Sequence, residues 1–428
     1  MTYLIPLHAL LVTAGAVLAV DAAVSSMAAV DPKILPVTSD LAKSLQAHVQ
    51  YLASPELMGR KPGTPGNRAA ADYIQARFRE AGLVALPSLG GYGQQLPDGL
   101  GDNLIGLRPA SAPAAVAPYL LIGAHYDHLG GNYLGADDNA SAVAILIEVA
   151  RLLPPLPHHH VLFVAFNAEE PPYIRTPRMG SQHFTDHLPP EIGAATALQA
   201  VIIMDIMGGV HWEPLRGAIF AAGAEKSPAL YRRLKEAGQA ASGKGQGATT
   251  SFPSPLASSL SPLTVLPVGM HLVEEIPLIG QVSFSDYDAF RNRSIPFLLL
   301  SSGRTPRYHQ PSDLPDTLHY ERMATTVTWL QFLIALIDQD KEPYRFEPAR
   351  IEFTDEATIF RPLVEKAAEW ETRIPGTSLI SLWRLKRDRD WLQKLNPAQP
   401  TQEDITRLER LSIRLQCLLA DFPACFLL

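Results

Sequence analysis

Apolar positions change their period several times along the chain, and each change marks an element. Over residues 39–52, and again over 67–81, apolar residues recur every three to four positions, the spacing that lines one helix face. Gly82 follows the second run, where a helix C-terminus favours glycine. Between the two, "SPELMGRKPGTPG" is a Gly/Pro-rich loop. The middle of the chain switches to short continuous apolar runs. "DNLIGL" and residues 119–124, 161–166, 200–204, 218–222 and 295–300 read as strands. Helical stretches separate them at 140–153, 181–187 and from Pro228 to about Ala237, the last opened by Ser227 as its cap. A long amphipathic helix is expected over 320–337. Strands that are apolar on both faces and alternate with helices predict an α/β fold: a mostly parallel mixed sheet with helices on both faces.

Three segments break this rhythm. Residues 243–280 are rich in Gly, Ser and Pro and too long for an ordinary connection, so they are expected to be an inserted loop or lid facing the substrate. Residues 342–428, with Trp370, Trp383 and Trp391, read as a helical C-terminal extension without recognisable chemistry. At the other end, an apolar run over 10–20 followed by small residues resembles a secretory signal, and residues 1–30 are read as a signal peptide or N-terminal anchor. The expectation is export to the periplasm or the extracellular space, with no membrane contact beyond that anchor. The main domain then spans 39–340.

Composition narrows the function classes. The formal net charge of -7 comes without any basic stripe, which argues against nucleic acid as a main partner. Cys417 and Cys425 are the only cysteines, too few for a disulfide scaffold or a cysteine-rich zinc site. They are either one local bridge or two buried thiols.

The chemistry lies where the strands end. In a parallel sheet, ligands bind beyond the carboxyl ends of the strands. "LLIGAH" ends in His125, "VLFVAFNAEE" in Glu169-Glu170, and "AVIIMD" in Asp205. "IPFLLLSSGRTPRYH" runs from a strand to His309, and Asp138 opens the helix after the first strand. Two histidines and three carboxylates are donors suited to Zn²⁺. So many carboxylates on one edge would repel each other. Two dications sharing a bridging carboxylate would offset that repulsion.

At these residues the chain resembles the zinc-dependent aminopeptidases of metallopeptidase family twenty-eight, which also includes glutamate carboxypeptidases and, more distantly, glutaminyl cyclases. The resemblance spans about 41–337 and rests on "YLASPELMGRKPGTPGNRAAADYIQARFREAGL", which matches the family's entry helices and Gly-Arg loop, and on "GAHYDH", "GADDNASA", "FNAEE", "IIMDIMG", "SDYDAFRNRSIPFLLL" and "YHQPSDL", in that order. It implies that His125, Asp138, Glu170, Asp205 and His309 hold two Zn²⁺ per chain, with Asp138 bridging. It implies Glu169 as general base and Asp127 as the carboxylate that orients His125. It also implies a cis peptide at Asp138-Asn139. The activity implied is exopeptidase action on peptides, in the first place as an aminopeptidase. A carboxypeptidase or dipeptidase, a glutaminyl cyclase-like transferase and a non-enzymatic relative are the alternatives.

Some residues fit less directly. "PPYIRTPRM" after Glu170 is longer than the usual connection. His128 is read as lying beside the cluster or in solvent, and His158 to His160 as a loop. Tyr308 either packs or polarises a carbonyl. Arg304 and Arg307 either meet a substrate carboxylate or lie on the surface. Asp286 and Asp288 read as helix-start residues.

Overall fold

The computed structural model of the protein describes residues 39–112, 117–242, 263–276 and 280–421. The N-terminal segment 1–30 lies outside the described residues, as do 243–262, 277–279 and Cys425.

The chain opens with helices α1 (Ser39–Leu52) and α2 (Pro65–Glu80). Thr64 caps α2 by accepting the N–H of Asn67, and Gly82 follows it in a left-handed conformation. Three strands follow: β1 (Val84–Ala85), β2 (Gly93–Gln95) and β3 (Asp102–Arg108). Next come β4 (Tyr119–His125), α3 (Ala142–Leu152), β5 (His160–Phe166), α4 (Gly180–Asp186), β6 (Leu198–Met204) and β7 (Ala218–Ala222). Helix α5 (Pro228–Ala241), strand β8 (Thr264–Val268) and helix α6 (Met270–Glu274) lead to β9 (Glu275–Ile276) and β10 (Gly280–Gln281), which pair as a small ribbon. The chain continues through α7 (Tyr287–Arg291), β11 (Phe297–Ser301) and α8 (Tyr320–Asp338). It ends with α9 (Phe353–Ala368), α10 (Leu379–Lys394) and α11 (Gln402–Leu419).

Among the described residues, one sheet runs in the order β1-β3-β5-β4-β6-β11-β7-β8, with β2 beside β3. Its centre, β5-β4-β6-β11, is parallel, and antiparallel pairs flank it at β3/β5 and β11/β7. The expected mixed sheet is therefore present, and its parallel part is the centre. Its central strands are buried on both faces: Leu121 and Ile122 in β4, like Leu162 and Phe163 in β5, are inaccessible to solvent. Each such side chain contributes about 1.5–3 kcal/mol of hydrophobic burial.

Three sequence readings change here. The helix over 320–337 is not amphipathic in practice. Residues Arg322 to Ile334 are all buried, because α8 packs among α1, α3 and α5. Its threonines tolerate this by donating to carbonyls one turn back, Thr325 to Glu321 and Thr326 to Arg322. The second change concerns 243–280. Within it, 263–276 are not a lid: β8 is the sheet's edge strand, parallel to β7, and Leu266, Val268, Met270 and Leu272 are buried. Pro267 disguises this strand in the sequence, yet an edge strand accepts proline. The third is the C-terminal extension. It shares the main core, with Phe353, Phe360, Leu385, Leu411 and Leu415 in one cluster with Ile203 and Phe297. His271 of α6 bridges Glu356 of α9 at 3.0 Å and Glu409 of α11 at 2.9 Å. Cys417 is disulfide-bonded.

Candidate metal centre

Strands β4, β5, β6 and β11 are mutually parallel, so their carboxyl ends share one edge. His125 is the last residue of β4, Glu169 and Glu170 follow β5, and Asp205 follows β6. The segment after β11 returns His309 to the same edge in a left-handed conformation, φ 54°. Asp138 arrives from the turn before α3, where the peptide Asp138-Asn139 is cis.

The two carboxylate oxygens of Asp138 face different partners. Oδ1 lies 3.3 Å from His125 Nε2, which is also 3.5 Å from Asp205 Oδ1. Oδ2 lies 3.2 Å from His309 Nε2, which is also 3.0 Å from Glu170 Oε2. Two donor sets thus meet at one carboxylate. Donor atoms of His125, Asp138 and Asp205 lie within 4.8 Å of one another, as do those of His128, Asp138 and Glu170. His128 belongs to this neighbourhood and not to solvent: it is fully buried, and its Nδ1 is 2.6 Å from Glu170 Oε1. It fixes one oxygen of Glu170 and leaves the other facing His309.

Several polar atoms of the cluster lack hydrogen-bond partners, among them Asp205 Oδ1, Glu169 Oε1 and His309 Nε2. Buried polar atoms are ordinarily paired. Carboxylate oxygens and imidazole nitrogens left unpaired around common points fit dications of the zinc type.

Charge coupling across the cluster is strong. Burial opposes protonation of His309, but the Asp138 and Glu170 carboxylates push it up to about 10. His125 is likewise raised, against its burial, by Glu169, Asp127, Asp138 and Asp205. Glu169 is raised by burial and by Glu170 and Asp205. Its side chain is 5% exposed, with Oε2 3.8 Å from His125 Nε2.

A buried frame holds the ligands in place. The Asp127 carboxylate accepts the backbone N–H groups of Glu169 (3.1 Å) and Glu170 (3.2 Å). It sits 3.7 Å from His125 Nδ1, which is closer to the Asp127 carbonyl at 3.3 Å. Asp127 therefore ties the end of β4 to the glutamate pair. Asp313 accepts the N–H of Asp137 at 2.8 Å and of Asp138 at 3.1 Å. Asp137 in turn accepts the N–H of Gly208 (2.7 Å) and Gly209 (2.9 Å), joining this turn to the segment after β6. Burial and the neighbouring Asp313 push Asp137 up to about 7. Arg60, 1% exposed, donates to the carbonyls of Leu52, Tyr126, Leu134 and Gly135. Gly135 has φ +62°, and a Cβ there would fall 2.2 Å from the Asp138 carbonyl oxygen. Asp313 and Arg60 carry no assignment in the sequence reading, although both lie inside motifs that it quotes.

The remaining candidates separate. Asp286 is buried beside the cluster without an aligned hydrogen-bond partner and does not cap α7. Burial, together with Asp127 and Asp205, pushes it up to about 7 against the pull of His125. Asp288 instead pairs with Arg291. His159 is bonded to Asp338 at 2.9 Å, and His160 Nδ1 accepts the N–H of Ala110 at 3.0 Å. Tyr308 stacks on His309 at 3.9 Å, and Arg304 lies 4.6 Å over the Tyr308 ring. The nine residues after Glu170 form tight turns, with Tyr173 N–H on the Glu170 carbonyl at 2.9 Å.

The profile of Peptidase family M28 matches residues 103–333, more than half of the chain. The chain belongs to peptidase family M28. Every residue of the two donor sets, from His125 to His309, lies inside the matched range of this M28 protein. Among curated relatives it is 29% identical over 224 residues to the uncharacterized protein YfbL of Escherichia coli, covering 50% of this chain and 65% of that one. It is 31% identical over 139 residues to the aminopeptidase YwaD of Bacillus subtilis, covering 32% of this chain and 27% of that protein. Both alignments thus span less than two thirds of the relative. The LapA aminopeptidase of Legionella pneumophila shares the fold, with a TM-score of 0.52 at 16% identity over 72% of this chain and 73% of LapA. So does BSAP, a zinc aminopeptidase from Bacillus subtilis, with a TM-score of 0.50 at 14% identity over 72% of this chain and 98% of BSAP. Among the described residues, no helix is long and apolar enough to cross a membrane.

Proposed function

We propose that this M28 protein is a zinc-dependent exopeptidase that removes N-terminal residues from peptides. His125 and Asp205 would hold one zinc ion, Glu170 and His309 a second, and Asp138 both. The observation that carries the reading is the placement of the Asp138 oxygens, 3.3 Å from His125 on one side and 3.2 Å from His309 on the other. Bound there, the ions would supply Lewis acidity and a water acidic enough to ionise near neutral pH.

The protein's own groups do the remaining work. Glu169 presents an oxygen free of other hydrogen bonds to the shared space. It takes the proton of the attacking water and returns it to the departing amine. Asp127 sets the position of Glu169 through its backbone N–H. His128 keeps Glu170 turned toward His309. The closed surroundings of Glu169 raise its affinity for a proton, which suits a group that must carry one during turnover.

The name aminopeptidase, borne by the Bacillus subtilis relative, supports the choice among exopeptidase activities. Export fits the same reading: a disulfide at Cys417 persists best in an oxidising compartment. A panel of aminoacyl, dipeptide and N-blocked chromogenic substrates tests the proposal, with and without chelator and alongside metal analysis. Hydrolysis of free-amine substrates, abolished by chelator and by N-blocking, is expected with about two zinc ions per chain. Cleavage of N-blocked substrates alone would refute aminopeptidase action.

A further inference from the structure

We propose that the C-terminal helices α9 and α11 are part of the substrate site: they wall a chamber, opening at Asp205, that takes one large apolar side chain of the substrate beside the bond to be cut. This rests on the peptidase reading above.

The chamber has a volume of about 140 Å³. Its lining includes Asp205 and Tyr308, the latter stacked on His309. Leu363 of α9, Ile374 after it, and Leu415 and Leu419 of α11 supply another part of its lining. These four residues lie beyond 103–333, the range matched by the family.

Apart from Asp205 and Ser285, the polar side chains of the lining are engaged elsewhere. Ser412 Oγ and Gln416 Nε2 both donate to the carbonyl of Leu272, at 2.6 and 2.9 Å. Arg304 lies flat on the rings of Phe284 and Tyr308. What faces the space is therefore mainly hydrocarbon. An apolar cavity of about 150 Å³ holds one benzene-sized group and stays dry when empty. The occupant that fits is a leucyl, methionyl or phenylalanyl side chain. Alanine would leave most of the chamber unfilled, and a charged side chain would meet no partner among Leu363, Ile374, Leu415 and Leu419.

The experiment uses the full-length, zinc-loaded protein. kcat/KM is measured on leucyl, phenylalanyl, alanyl and glycyl p-nitroanilides, and binding of free L-leucine, L-phenylalanine and L-alanine by calorimetry. The native protein should favour leucyl or phenylalanyl over alanyl substrates by about tenfold or more. Leu415→Trp, which fills the chamber, should lower kcat/KM on leucyl and phenylalanyl substrates by about tenfold more than on alanyl ones, so that the preference is lost. Ile374→Ala, which enlarges it, should shift preference toward phenylalanyl, and it serves if Leu415→Trp fails to fold. Equal losses on all substrates in both variants, or a native enzyme without apolar preference, would overturn the inference while leaving the peptidase reading intact. Selective binding of L-leucine and L-phenylalanine without hydrolysis of any substrate would support the chamber and reject the peptidase reading.

Discussion

Replacing Glu169 and Glu170 by glutamine, one at a time, should give opposite phenotypes although the residues are neighbours with the same side chain. Both oxygens of Glu170 are engaged, one by His128 at 2.6 Å and the other 3.0 Å from His309. Glu170→Gln would turn an amide N–H₂ toward one of these nitrogens and weaken a ligand. Glu169 is different: Oε1 has no hydrogen-bond partner, and Oε2 is 3.8 Å from His125. Glu169→Gln therefore removes proton transfer and little else. The expected loss in kcat is about 10²–10⁴-fold. At about 1.4 kcal/mol per tenfold, that amounts to about 3–5 kcal/mol of transition-state stabilisation. Zinc content should stay at the native value. Burial and the nearby Glu170 and Asp205 charges make ionised Glu169 unfavourable, so chelated Glu169→Gln should melt no lower than chelated native protein. Glu170→Gln should lose zinc and, with it, activity. Kinetics, elemental analysis and melting of both variants are the assay. Zinc loss in Glu169→Gln with retention in Glu170→Gln would reverse the assignment. A kcat for Glu169→Gln within tenfold of native would refute the proton-transfer role.

Chelated protein should lose stability as pH rises. His309 is raised from its ordinary value to about 10, so its contribution is complete below about pH 6.5 and disappears as pH passes 10. Melting temperatures of chelated and zinc-loaded protein between these limits should diverge. Glu148, buried in α3 against His48 and Arg151, shows the opposite sign. Burial works against its ionisation, but its hydrogen bonds to His48, Ser44 and Arg151 lower it to about 2. Its stabilisation, at most about 3 kcal/mol, is present above about pH 4.5 and lost toward pH 2. Glu148→Gln should lower the melting temperature at pH 7 and flatten the acid side of the stability profile. Gly135→Ala should cost about 2 kcal/mol or more and lower zinc content, since its Cβ would sit 2.5 Å from the His128 ring as well as against Asp138; a native melting temperature and zinc content would contradict this.

How much of the site was legible depended on where its residues stand in the chain. His125, Glu170 and Asp205 end apolar runs, and Asp138 opens a helix, so periodicity alone places them on one sheet edge. Asp313 and Arg60 act through backbone carbonyls and N–H groups that tertiary packing brings to them, and no local pattern signals that. Strand β8 escaped notice because Pro267 and its Gly/Ser/Pro-rich surroundings hide five residues of edge strand. The chamber wall was beyond reach for a different reason. Leu363 and Leu415 look like ordinary core positions of helices, and only the fold shows that they line one chamber with Asp205.

Arg60 carries an implication for what counts as the inherited unit. It precedes the family-matched range, yet it holds the carbonyls of Tyr126, Leu134 and Gly135 and lies close enough to Asp127, Asp138, Asp313 and Glu170 to feel their charge. A recombinant fragment cut to 103–333 would leave those carbonyls without their donor and four acidic residues without a buried cation. The segment that joins the first two helices is better regarded as the keystone of this arch than as its porch. Any transplant of the metal chemistry into another protein must bring it along.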